Sequence, residues 1–178
     1  MDTSKINLCD KIEGYRCFVG NSKIVYLKAT MATYLELGRR LHAIYGCSVI
    51  CVLGFGSIER DKNIIDDFIS RHHIVDAELF YFSHAQGCSD GLELAVAGVP
   101  FKKMMFVNMP IKDTFDATVG RLKAISNTKI VAMFVEKDSS CESVALFKEN
   151  SLENVEIFLS RDIYHSRKIA IDAFKELG

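Results

Sequence analysis

Leu79-Phe80-Tyr81-Phe82-Ser83-His84-Ala85-Gln86-Gly87-Cys88-Ser89-Asp90-Gly91 is an apolar run that breaks abruptly and passes into a helix-like stretch reaching Gly98. An unbroken apolar run of this length suits a strand buried on both faces, as in a parallel sheet. Small residues, Ser83 and Gly87, stand two places on either side of Ala85. An apolar run that stops at these small residues and passes into a helix-like stretch predicts a sharp strand-turn-helix corner.

On both sides of it, strand-like and helix-like runs alternate. Ile24–Leu27, Ser48–Leu53, Lys103–Asn108, Lys129–Val135 and Val155–Leu159 are strand-like. Tyr34, Leu37, Leu41 and Ile44 fall at helical spacing, as do Ile64, Ile65, Phe68 and Ile69. Phe115, Val119 and Leu122 mark another helix, Val144–Phe147 a short one, and Ile169, Ala173, Phe174 and Leu177 a closing one. Such alternation predicts an α/β fold of three α/β/α layers around a mostly parallel sheet. With 178 residues, and no repeat or linker, one domain over 1–178 is expected.

Charge excludes several classes of partner. The 22 basic and 23 acidic residues are well mixed, so no stretch forms a footprint for nucleic acid or an anionic membrane. No apolar run approaches the roughly 20 residues that span a bilayer, and the first residues lack the apolar core of a signal peptide. The six cysteines form no C-x-x-C pair and no zinc pattern with histidine, so a reducing cytoplasm, no metal and no cofactor are expected. Arg39-Arg40 and Lys102-Lys103 read as solvated charges that could also dock an acidic carrier protein. His42, His72 and His73 read as solvent-facing. Gly54-Phe55-Gly56 after a strand hints at a dinucleotide loop. Glu59, however, stands where the third glycine belongs and would repel pyrophosphate.

From about Lys23 onward, the order and spacing of these motifs resemble a minimal α/β-hydrolase. Ser83-His84-Ala85-Gln86-Gly87 is similar to that family's G-x-S-x-G nucleophile elbow, with alanine in the nucleophile's place. Val135-Glu136-Lys137-Asp138 is similar to the G-x-x-D ending that carries the acid, and Ile163-Tyr164-His165-Ser166 follows the last strand, where the histidine belongs. Leu53-Gly54-Phe55-Gly56-Ser57 is similar to the family's G-x-G-x-S turn. The family's His-Gly after the first major strand is replaced by Lys28-Ala29.

The resemblance implies a lidless esterase or thioesterase with a Ser-His-Asp triad at Ala85, Asp138 and His165. It implies an oxyanion hole from the N–H of Gln86 and one near Thr30, and a substrate site beside His84, Met31 and Met109. The implied substrate is a small ester or acyl compound, free or presented by an acyl carrier protein. Ala85 leaves two accounts open: a serine enzyme inactivated by replacement at this position, or a natural loss leaving a binding protein for an acyl ligand or protein partner. A third reading takes the literal Gly87-Cys88-Ser89-Asp90-Gly91 as the elbow, but it separates Ser89 from the strand that should hold it.

Overall fold

In a computed structural model, residues 10–12, 15–29, 33–54, 56–110, 115–136, 143–150, 152–162, 168 and 171–177 are described. Strands β1 (Asp10–Ile12), β2 (Tyr15–Phe18) and β3 (Asn21–Ala29) precede helix α1 (Thr33–Tyr45). β4 (Cys47–Leu53), α2 (Ile58–Arg71), β5 (Glu78–His84), α3 (Gly87–Val96) and β6 (Phe101–Val107) follow. The chain continues through α4 (Phe115–Ala124), β7 (Lys129–Val135), α5 (Ser143–Glu149) and β8 (Val155–Ser160), with a 3₁₀ turn at Lys175–Leu177.

The strands form one eight-stranded sheet in the order β1-β2-β4-β3-β5-β6-β7-β8. β1–β2 and β2–β4 are antiparallel, and every pair from β4 to β8 is parallel. Alternate side chains divide the core in two. Tyr26, Tyr81, Met104, Phe106 and Phe134 meet Ile64, Phe68, Leu92, Leu122 and Phe147 on the face covered by α2, α3, α4 and α5. Val25, Leu27, Phe82, Met105 and Met133 meet Tyr34, Leu37 and Leu41 of α1, with Phe174 and Leu177, on the other. This is the expected three-layer α/β/α arrangement.

The sheet begins earlier than the sequence pattern indicates. β1 and β2 form an antiparallel hairpin ahead of the expected first strand, and β3 itself starts at Asn21. Strands of three and four residues are too short to display a period, and Tyr15-Arg16-Cys17-Phe18 lacks a clean alternation.

Three side chains expected in solvent do other work. Lys103 is buried and donates to the carbonyl of Ala173, fastening the C-terminal segment; Lys102 beside it is exposed and paired with Glu78. His42 lies stacked on Phe18, with Nδ1 2.7 Å from the Cys47 carbonyl oxygen. His72 closes α2 and packs on Phe68 at 4.7 Å between ring centroids. His73 is exposed, as expected, and Arg39 and Arg40 are exposed around Glu36. Among the described residues, Cys17, Cys47, Cys51 and Cys88 are buried thiols outside any disulfide, behaving as small hydrophobes.

Close approach of α3 to the sheet depends on its glycines. A Cβ on Gly91 would lie 2.3 Å from the Tyr81 ring, and one on Gly87 would lie 3.0 Å from the Ser83 Cβ and 3.1 Å from the Lys28 carbonyl oxygen. Gly91→Ala therefore forces α3 off the strand. It should lower stability by about 1–3 kcal/mol, read as a fall in the urea midpoint with little change in slope.

Candidate active site

The chain runs from β3 to β4 on one side and then crosses back to β5 on the other, so its direction reverses between β3 and β5. In open α/β sheets, ligand crevices lie at the carboxyl ends of the strands flanking such a reversal. Here those ends are Lys28-Ala29 and His84-Ala85, placed together by the parallel register Lys28↔Ser83. Ser83 and His84 are in turn paired with Phe106 and Val107 of β6.

Ala85 leaves β5 with φ of 51°, in the left-handed region. For an alanine that backbone costs roughly 1–2 kcal/mol. Local bonds hold it there. The Ala85 N–H donates to the Val107 carbonyl at 2.9 Å, and the Cys88 N–H donates back to the Ala85 carbonyl at 2.9 Å. The Ser89 N–H donates to the Gln86 carbonyl at 3.1 Å, starting α3. Tyr81 completes the clamp from below: its buried hydroxyl donates to the Gly87 carbonyl at 2.7 Å. Burial holds the Tyr81 phenol well above its usual range, so it remains a donor.

Ala85 is half-buried and Gln86 is exposed at the N-terminus of α3, without a side-chain cap. Among the described residues the Gln86 N–H donates to no backbone acceptor. His84 is half-buried and stacks on Tyr34 of α1 at 6.0 Å, so its ring turns toward the α1 face of the corner. Met109 is 1 % exposed and belongs to the core on the α2–α3 face, so a ligand would meet it only by displacing core side chains. Thr30, Met31, Asp138 and His165 lie outside the described residues.

The two strands that precede Asp138 and His165 are described. β7 and β8 are neighbours, and the Glu136 N–H donates to the Ser160 carbonyl at 2.9 Å where they end. The Asn108 side chain, at the end of β6, accepts from the Val135 N–H at 2.8 Å. Asn108 has φ of 50°, a conformation asparagine tolerates better than most residues.

Two alternative nucleophiles fail on geometry. Ser89 lies inside the first turn of α3, not at the corner. Cys88 is wholly buried, with its thiol directed at the Val107 carbonyl, and burial pushes its pKa up from 9.0 to about 12. Its folded-state proton affinity is raised. The stability this contributes is whole below about pH 9 and is lost as pH climbs toward 12, because the unfolded thiol ionises first.

The sequence pattern missed a group of charges directly behind the corner. Lys28, 1 % exposed at the end of β3, is ion-paired with Asp61 of α2 and with Asp90 of α3, the latter at 2.7 Å. The Lys28–Asp90 contact is out of line for a hydrogen bond; the Lys28–Asp61 contact is a true one. The Tyr26 hydroxyl adds a hydrogen bond to Asp61 at 2.8 Å. One signal was available: Asp61, Ile64, Ile65 and Phe68 follow the spacing of an apolar helix face, and all four are buried.

No family model and no curated protein matches the chain. Solved structures do. A cold-adapted esterase from an Arctic intertidal metagenomic library superposes with a TM-score of 0.71 at 12% identity, over 91% of this chain and 86% of that one. A carboxylesterase from Mesorhizobium loti gives 0.64 at 11%, over 90% and 92%. An alpha/beta hydrolase from Sphaerobacter thermophilus gives 0.56 at 10%, over 92% and 98%.

Two measurements check the corner. Ala85→Gly removes the left-handed penalty but adds glycine's unfolded-state entropy, so it should stabilise the protein by roughly 0.5–1 kcal/mol in urea denaturation. At pH 8, Cys88 should resist iodoacetamide in the native protein and react fully after unfolding; rapid native labelling would contradict its burial. With sheet order, corner and superpositions in agreement, the chain has the α/β-hydrolase fold.

Proposed function

We propose that the chain is a single-domain hydrolase scaffold that holds a carboxylic ester or thioester at the β5–α3 corner. The reading rests on one observation: residue 85 keeps a left-handed backbone at the mouth of the strand reversal although alanine is ill suited to it. That posture lifts a side chain clear of the sheet, as nucleophilic attack requires. The esterase neighbours support the reading.

In the active form a serine at 85 attacks the carbonyl carbon. The Gln86 N–H and one from the Thr30 region hold the oxyanion as it forms. His165 takes the serine proton, returns it to the leaving group and then activates water; Asp138 sets the imidazole tautomer and stabilises its cation. His84 and Met31 border the acyl group. The chain between β6 and α4 runs only from Asn108 to Thr114, too short for a cap, which suits an exposed ester or one presented by an acyl carrier protein. The buried cysteine thiols suit a reducing cytoplasm.

With Ala85 the chemistry stops at binding, because a methyl group cannot form an acyl-enzyme. The same corner then serves as an acyl-ligand site, and Ala85 itself is the observation favouring that second reading.

The substitution Ala85→Ser separates the two. It should hydrolyse short p-nitrophenyl esters above the buffer rate, and adding His165→Ala or Asp138→Asn should lower that rate by roughly 10²–10⁴-fold. A folded Ala85→Ser protein inert toward short and medium acyl esters and thioesters would leave only the binding function.

A further inference from the structure

We propose that Lys28, Asp61 and Asp90 form an internal positioning device that sets the corner against the end of β3. Three elements meet at one ammonium group: Lys28 from β3, Asp61 from α2 and Asp90 from the first turn of α3. Lys28 touches the corner in a second way, because its carbonyl oxygen lies against Gly87, where a Cβ would stand 3.1 Å away. Backbone and side chain of a single residue therefore grip α3 one turn apart, at residues 87 and 90.

The geometry gives the device its purpose. Lys28 pairs in register with Ser83, and it leads directly into Ala29 and Thr30. The strand end before Thr30 and the turn carrying Gln86 are thus held at one spacing by a buried ion cluster. Two carboxylates and one ammonium leave the cluster one negative charge, so Asp90 can be removed while Lys28 and Asp61 remain a matched pair, still braced by Tyr26. Asp90 is the tie to the corner; Asp61 and Tyr26 are the anchor to α2 and the sheet.

The inference goes beyond the hydrolase reading, and its test uses the protein with Ala85 in place, so an inert Ala85→Ser variant leaves it standing. Site-resolved amide hydrogen exchange is followed at the corner, on the Cys88 and Ser89 N–H groups, and in β7 at Ile130–Phe134. Asp90→Ala should speed exchange at the corner roughly tenfold while β7 stays within about twofold, the pattern of a local opening. Asp90→Asn, which keeps an acceptor near the ammonium, should recover part of the protection. The combined change Lys28→Met, Asp61→Asn, Asp90→Asn removes the buried charge without leaving any of it unpaired. It keeps the fold testable even if Asp90→Ala does not fold. This variant should also exchange faster at the corner alone. Unchanged corner exchange, or parallel acceleration in β7, would show that the cluster acts only on global stability and would overturn the proposal.

Discussion

The structure depends on how closely α3 can approach the sheet. That contact is set by two glycines: Gly91, with no room for a Cβ beside the Tyr81 ring, and Gly87, where a Cβ would sit tightly at 3.1 Å from the Lys28 carbonyl oxygen. Once the helix starts this near its strand, the connection has no slack. A turn of two residues between β5 and α3 has to reverse the chain, and Ala85 takes the left-handed backbone that allows it. The roughly 1–2 kcal/mol this costs is offset by the bonds around it: the Val107 carbonyl above, the Tyr81 hydroxyl below and the first turn of α3 ahead. Strain is therefore concentrated at residue 85, at the carboxyl end of β5 beside the end of β3.

Behind that corner the protein places charge where an apolar residue would be the simpler choice. Ion pairs this deep contribute little net stability compared with well-packed hydrophobes, yet removing Lys28 or Asp61, which leaves buried charge unmatched, costs about 3–5 kcal/mol. Lys28, Asp61 and Asp90 thus act less as glue than as a constraint on distance. Tyr26 serves the same end from inside the sheet, since its hydroxyl orients Asp61 while its ring stacks on Tyr81 at 5.9 Å. The clamp on Gly87 and the ion cluster are consequently one connected packing unit.

Much of this was legible before any coordinates. The apolar run into Ser83-His84-Ala85-Gln86-Gly87 marked the corner because a doubly buried strand and a helix start leave distinct signatures side by side. Helices α1 and α2 announced themselves by their 3.6-residue faces, and the alternation of elements implied the parallel sheet. The hairpin of β1 and β2 stayed hidden because strands so short show no period. Lys103 was misleading for another reason: it was read as a solvated charge, and only a tertiary partner, the Ala173 carbonyl, reveals that it is buried; the burial of Lys28 likewise shows only through Asp61. His42 and His72 were obscured likewise, since their rings pack on Phe18 and Phe68 from distant parts of the fold or the helix end.

The central claim is that the β5–α3 corner presents residue 85 as a nucleophile's seat. Covalent labelling by a fluorophosphonate probe, located by peptide mass spectrometry, tests it most directly, comparing the protein as it stands with its Ala85→Ser form. The account predicts a single phosphonyl adduct on residue 85 of the serine form, none on Ser83 or Ser89, and none on the alanine protein. An adduct on Ser89, or a folded serine form that takes up no label, would contradict it.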